Sequence, residues 1–387
     1  MRRTFGVGLL LLLFLFQGAP SFGGDIQLPS TEASWIQTVN YYRQASGLSA
    51  VNEDKNLSAN VQKHLTYLTM SDPKFFTGQY VSRHLENPAS PYYSTAGANS
   101  GQELSSNLTN DPSLSIDSWM AAPFHAMGLM REGLSKVGWA SAYNARSGFY
   151  DSGADVLDGL KVHRTKIITF PGNGSVSRMD NFPGESPDPR ESCGANSRSY
   201  TGLPLWVSLT SKPPHQMSAQ IVTPTGEVLS SQSQLCVVSE FNMKTSDPIY
   251  GSAGKAILRN DHMVLIIPKE PLAAGLQTVS LSLQGRPKIS WSFTVIARPP
   301  EIAFNSTENS ASISWTAPPL QAANPTLGYE VLVGDATLRN IQSFKTTTTT
   351  FSTTGLSAGS HWVCVKAIAR YRSGECPSFV FYSTKSD

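Results

Sequence analysis

Charge is scarce in this chain. Asp, Glu, Lys and Arg make up 15% of its 387 residues, and the formal net charge is +2. So near a balance leaves no basic footprint for nucleic acid and no field that would draw the chain to anionic lipid. Cysteine is scarce as well, with four in all. No two are spaced Cys-x-x-Cys, which argues against a dithiol redox role and a thiolate zinc site. His-Glu-x-x-His and the Gly-x-Ser-x-Gly elbow are both missing, so no standard hydrolase motif supports an enzymatic reading. After the N-terminal stretch, no uncharged apolar run approaches the roughly twenty residues that span a bilayer.

What is present starts with the N-terminus. Met1-Arg2-Arg3 is a cationic start, Gly6 to Phe16 is a leucine-rich apolar run, and Gly18, Ala19, Ser21, Gly23 and Gly24 follow. This is the pattern of a secretory signal peptide over residues 1–23, cut near Ser21 or Gly23. A secreted, extracellular protein with no membrane span after signal removal is expected. Four cysteines suit an oxidising compartment, and pairing Cys193 with Cys236 and Cys364 with Cys376 keeps each bridge inside one domain.

The length calls for two or three domains. From Trp35 to Met130 apolar residues recur at helical spacing: Trp35, Ile36, Val39 and Tyr42, then Leu57, Val61, Leu65 and Leu68. Asp111-Pro112-Ser113 starts a further helix through Met120, and Pro123 breaks or restarts it. Val137 to Tyr143 and Phe149 to Leu157 read as strands, so helices on a small sheet, an α+β arrangement, is predicted. Asn181, Pro183, Gly184, Pro187 and Pro189 read as a linker. Beyond it, Leu205–Leu209, Ser218–Val222, Met263–Ile267, Thr278–Leu283 and Ser292–Ile296 predict an antiparallel sandwich. Arg298-Pro299-Pro300-Glu301 opens a second β-rich module with alternation at Ala311 to Trp315. The expected organisation is a signal peptide over 1–23, an α+β domain over 30–170, and two all-β sandwiches over 190–297 and 299–387.

Chemistry concentrates in two histidine patches, Ser82-Arg83-His84-Leu85-Glu86 and Pro123-Phe124-His125. His84 and Glu86 would share a face on a strand. Imidazoles with a carboxylate make a zinc set that leaves one position for water, which the metal would activate. Without metal, the same groups make a general-base pair or a hydrogen-bonded polar core. Tyr92, Tyr93, Trp119, Phe124 and Trp139 surround the patches as core or as the apolar wall of a cleft. His64 falls in line with Val61 and Leu68 and is expected to pack within its helix.

The region from Trp35 to Leu160 resembles the CAP superfamily of secreted proteins (cysteine-rich secretory or SCP-like domains) in its bacterial form. The resemblance is carried by Val39-Asn40-Tyr41-Tyr42-Arg43 with Gly47-Leu48, and by Leu57 and Ala59 ahead of His64. It continues in His84-Leu85-Glu86 with Pro91-Tyr92-Tyr93-Ser94 and Gly97, and in Trp119-Met120 with Pro123-Phe124-His125 and Val137-Gly138. It implies an α-β-α sandwich whose central cleft is lined by two histidines and acidic residues able to hold a divalent metal. Carried over, these are His84, His125 and Glu103, the last in Gly101-Gln102-Glu103-Leu104 where the family has Gly-Glu-Asn. Ala126 stands where the family has Arg. Glu86, Tyr92, Trp119 and Phe124 would line the ligand cleft.

The middle segment resembles the immunoglobulin-like module that often follows such a domain. The tail from Pro299 resembles a fibronectin type III domain on Ser314-Trp315-Thr316-Ala317-Pro318, Gly328-Tyr329-Glu330-Val331, Gly355-Leu356 and Val365-Lys366-Ala367. The expected protein is a secreted, non-enzymatic CAP-type binder of a divalent metal such as zinc, or of an apolar or lipid ligand. Its β-sandwiches would act as spacers or as adhesion surfaces for glycans or extracellular proteins. The alternatives are a metal- or histidine-assisted hydrolase (protease or esterase) and an adhesion protein with a vestigial cleft.

Overall fold

The computed structural model describes residues 34–295 except 108, 109, 111, 162, 178, 183 and 232. It also describes residues 302–307, 310–315, 326–335, 341–356, 359–369 and 380–384. The signal segment and Cys376 lie outside these residues.

Helix α1 (Trp35–Ala45) begins at Ser34, whose backbone N–H donates to the Gln37 side chain in a capping box. Strand β1 (Asn52–Glu53) leads into α2 (Lys55–Met70), where the Asp54 carboxylate accepts from the amides of Asn56 and Leu57. Ser94 caps the short α3 (Thr95–Ser100). Strand β2 (Glu103–Asn107) follows, then α4 (Pro112–Ala121), α5 (Pro123–Met130), β3 (Lys136–Asn144) and β4 (Phe149–Asp155). The sheet order is β1-β3-β4-β2. On one face Leu104 and Ala140 pack against Val61, Leu65 and Leu68 of α2. On the other, Val137, Ala154 and Val156 pack among Val39, Trp119, Phe124 and Met127 of α1, α4 and α5. Alternation along the strands therefore yields two apolar faces, each covered by helices. The expected α-β-α sandwich is present.

Arg43 is fully buried, and among the described residues no carboxylate pairs with it. Its guanidinium donates to the carbonyls of Ser49, Leu129, Arg131 and Leu134, tying α1 to the end of α5. Burial pushes its pKa down to about 10. Lysine offers a point charge where this site uses a planar fork. Arg43→Lys is expected to lower unfolding stability by about 2–3 kcal/mol in chemical denaturation, because buried carbonyls lose their donors.

The second unit starts earlier than its sequence suggests. Strand β5 (Ile168–Phe170) and β6 (Val176–Ser177) precede the proline-rich stretch, yet β5 pairs with β7 (Leu205–Ser208) and β6 with β13 (Ile289–Val295). Between them come β8 (Met217–Val222), β9 (Val228–Ser230), β10 (Leu235–Val238), α6 (Gly251–Asn260), β11 (Met263–Pro268) and β12 (Gly275–Leu283). The sheets run β10-β11-β7-β5 and β6-β13-β12-β8-β9. Helix α6 is a departure from the expected all-β module.

The proline-rich stretch around Pro187 and Pro189, expected as a linker, is packed. Asp188 and Arg190 are buried and ion-paired at 2.8 Å, Arg190 lies over the Phe182 ring at 4.7 Å, and Cys193 is bridged to Cys236. It is a packed strap, held by a charge pair, a ring and a disulfide instead of periodic apolar residues.

The α-β-α unit and the sandwich share one core. Tyr42 tilts against Phe170 at 6.1 Å, Phe170 stacks on Trp206 at 5.4 Å, and the Tyr41 hydroxyl donates to the Val176 carbonyl. The sandwich is thus continuous with the first domain.

The tail comprises β14 (Ile302–Thr307), β15 (Ser310–Trp315), β16 (Thr326–Asp335), β17 (Gln342–Thr346), β18 (Thr350–Thr354), β19 (Gly359–Ala369) and β20 (Val380–Thr384). They form sheets β14-β15-β18 and β17-β16-β19-β20, closed over Ile313, Trp315, Tyr329, Val331 and Val365. This is the expected second sandwich, with a separate core. Cys364 is disulfide-bonded. Among the described residues no helix is long and apolar enough to cross a membrane.

Candidate functional site

His84, Glu103 and His125 line one cleft of about 670 Å³. The fold reaches this through three unrelated pieces of local chemistry.

His84 sits in a turn, not on a strand, and its Nδ1 donates to the Gly101 carbonyl at 2.6 Å. A carbonyl only accepts, so the proton is on Nδ1 and Nε2 keeps its lone pair. Burial pushes the ring down to about 4, with the charge on His125 adding to the effect. His84 is therefore a neutral acceptor at neutral pH. Behind it lies a fully buried pair, His64 Nδ1 with Glu86 Oε1 at 3.0 Å. His64 Nε2 donates to the Arg83 carbonyl at 2.8 Å, and Glu86 also accepts from the Ser94 amide. This pair fixes the turn that carries His84. Residue 101 must be glycine here, because a Cβ would fall 2.4 Å from the His64 ring.

Glu103, at the start of β2, is 7% exposed, and among the described residues its carboxylate has no hydrogen-bond partner. It lies against α5, where a Cβ on Gly128 would come within 2.0 Å of Oε1. Burial raises its carboxyl to about 7.

His125 occupies the first turn of α5, three residues ahead of Gly128 on the same face. The residue preceding that helix is Ala122, which has no side chain to cap it. Glu185 of the strap does so instead: its carboxylate accepts from the Phe124 amide and, at 2.9 Å, from His125 Nδ1. A carboxylate at a helix N-terminus is favoured by the helix dipole as well as by the hydrogen bonds. Burial alone would favour a neutral His125, but the Glu185 bond and the charges of Glu103 and Glu185 push the imidazole up to about 9. Burial raises Glu185 too. The group that results is an imidazolium with one N–H committed to Glu185 and the other left to donate.

The sandwich forms the opposite wall. Pro248, Ile249, Tyr250, Ala253 and Ile257 face the cleft from α6 and the loop before it, joined by Ser186 and Pro187 of the strap. Tyr250 stands edge-on to His84 at 5.4 Å, and its hydroxyl accepts from the Arg83 amide at 3.1 Å. Leu85, Leu157 and Ile249 are all more than 40% exposed and line this opening.

Of the expected cleft residues, Phe124 is in the lining and three are not. Glu86 is consumed by His64 and Ser94. Trp119 is 1% exposed in the core, where the helical period of α4 turns it inward. Tyr92 is an exposed surface residue away from the lining. His64, expected to pack within its helix, is buried there but is spent on hydrogen bonds.

Residues 36–154 match the model of the cysteine-rich secretory protein family, named CAP. This segment is a CAP domain. The match falls on the α-β-α unit and ends before the strap and the sandwich. No curated protein matches the chain. Among solved structures, a two-domain fibronectin type III segment of chicken tenascin is 19% identical over 47% of this chain and 92% of that one, with a TM-score of 0.21. Domains of the rat CD45 extracellular region are 18% identical over 28% of this chain and 63% of that one, with a TM-score of 0.20.

Among the described residues no three His, Cys, Asp or Glu side chains are grouped to hold an ion. Each histidine has its Nδ1 engaged, His84 with the Gly101 carbonyl and His125 with the Glu185 carboxylate. Glu185 and Tyr250 were missed from sequence because they lie outside the CAP domain. The one available signal was Ala122 ahead of Pro123, a helix start in need of an acceptor.

Proposed function

We propose that this is an exported protein whose CAP cleft, walled by the following β-sandwich, binds an amphiphilic small molecule. The observation that carries this reading is the cleft lining. Its walls are mainly apolar, while His84, Glu103 and His125 are clustered within it, the usual composition of a small-ligand pocket. The ligand's apolar body would lie along Leu85, Leu157, Ile249 and Ile257. Its polar end would accept from the second N–H of His125 and meet Nε2 of His84 and the Glu103 carboxyl. Among the described residues no hydroxyl or thiol is hydrogen-bonded to either cleft imidazole, which favours binding over nucleophilic catalysis. Export is supported by the signal-like N-terminus and by the Cys193–Cys236 disulfide. The tail sandwich would serve as a spacer or adhesion module.

The test is fluorescence titration with a dansylated medium-chain fatty acid. Saturable binding is expected in the wild type, with at least a tenfold loss in Ile257→Asp, since a buried charge would face the acyl chain (about 1.4 kcal/mol per tenfold). Equal binding by that variant, or no saturable binding at all, rules the reading out. N-terminal sequencing of the exported chain checks the other half: its first residue is expected near residue 22 or 24.

A further inference from the structure

A second cavity of about 550 Å³ opens along the seam between the CAP domain and the sandwich, meeting the first cleft only at Leu157. Its lining is unlike the rest of this charge-poor chain. Arg131 follows α5, Arg164 lies in the loop leading to β5, and Arg259 closes the last turn of α6. Three guanidiniums thus come from three separate segments.

Two carboxylates are present and both are engaged. Asp261 pairs with Arg131 at 3.1 Å. Glu132 accepts from the backbone and hydroxyl of Thr165. Arg164 and Arg259 have no acidic partner among the described residues, although Arg259 makes a long contact of 3.5 Å with Asn260. The C-terminal end of α6 adds partial negative charge, which Arg259 offsets. Counting the histidines as neutral, the lining carries one net positive charge.

His262 is the second observation. Its φ of 48° makes it the one non-glycine residue with positive φ among those described. Among the described residues its Nδ1 is buried without a hydrogen-bond partner. A left-handed backbone and an orphaned buried nitrogen both cost free energy, and such features gather where a ligand makes use of them. His163 completes the lining.

We infer that this seam pocket binds the phosphate group of a small phosphate ester through Arg164 and Arg259, with His262 beside them in the lining and Arg131 held in place by Asp261. Planar guanidiniums suit a phosphoryl group bidentately, and an ester fits better than bare phosphate because the cavity has the size of small-molecule pockets. The site is independent of the amphiphile cleft.

The experiment is calorimetric titration of the full chain at low salt in three arms: inorganic phosphate, glucose 6-phosphate and vesicles containing phosphatidic acid. The soluble ester is expected to bind at least tenfold more tightly than inorganic phosphate. Affinity should fall at least tenfold in Arg164→Ala/Arg259→Ala, whose thermal midpoint without ligand stays at the wild-type value. Binding that the arginine double variant leaves unchanged overturns the proposal. So does binding to vesicles alone, or no heat in any arm. None of these outcomes bears on the fatty-acid titration, so the two readings fail separately.

Discussion

Glu185→Ala is expected to destabilise the protein by about 3–5 kcal/mol, since it strips a buried imidazolium of its counter-charge. The loss has two parts. His125 loses the carboxylate that holds its second proton, and the Phe124 amide at the start of α5 loses its acceptor. Glu185→Gln keeps an acceptor for the amide but not the charge, so its cost should be about 1–2 kcal/mol.

The pH profile separates this account from simple loss of packing. The folded pKa of His125 is about 9 against 6.5 for the free side chain. Its contribution is therefore complete below pH 6.5 and is lost as pH rises through 9, an upper bound of about 3 kcal/mol at 1.36 kcal/mol per unit. Below that window two other groups oppose each other. His84, lowered to about 4, makes stability rise with pH up to 6.5. Glu103, raised to about 7, makes it fall from pH 4.5 to 7. The clearest window is thus pH 7 to 9, where wild-type stability in urea should fall and that of Glu185→Ala should stay flat. Parallel slopes for the two proteins would show that Glu185 does not hold the proton on His125.

The second large effect concerns the CAP domain by itself. A chain ending at residue 166 is expected to lose cooperative unfolding altogether. Truncation strips Phe170 from Tyr42, the Val176 carbonyl from Tyr41, Glu185 from α5, Tyr250 from the His84 turn and Asp261 from Arg131. Each large apolar side chain returned to water costs about 1.5–3 kcal/mol. Several such losses, together with the polar ones, are comparable to the 5–15 kcal/mol that typically holds a domain folded. The fragment should bind a hydrophobic dye and lack near-ultraviolet circular dichroism. A sharp calorimetric transition in residues 34–166 would mean that the shared core is dispensable. The intact chain should instead unfold its CAP domain and adjoining sandwich as one unit, since they share a core. The tail, with its separate core, is expected to melt independently.

The sequence on its own determined the elements whose signal is local. The faces of α1 and α2 follow from apolar residues at helical spacing, and the break at Pro123 follows from its missing amide. Strands β3 and β4 and most sandwich strands were legible from alternation and turns. His84, Glu103 and His125 were brought together on the strength of family motifs, and the fold does place them in one cleft.

Tertiary structure alone decided what that cleft is. The segment holding Glu185 has no periodicity and reads as a linker. It is ordered by a charge pair, a ring contact and a disulfide between residues far apart in the chain. Which histidine is neutral and which charged depends on burial and on a partner sixty positions away. Periodicity reports which face of an element is buried. It carries no record of the surface that buries it, and here that surface belongs to another domain.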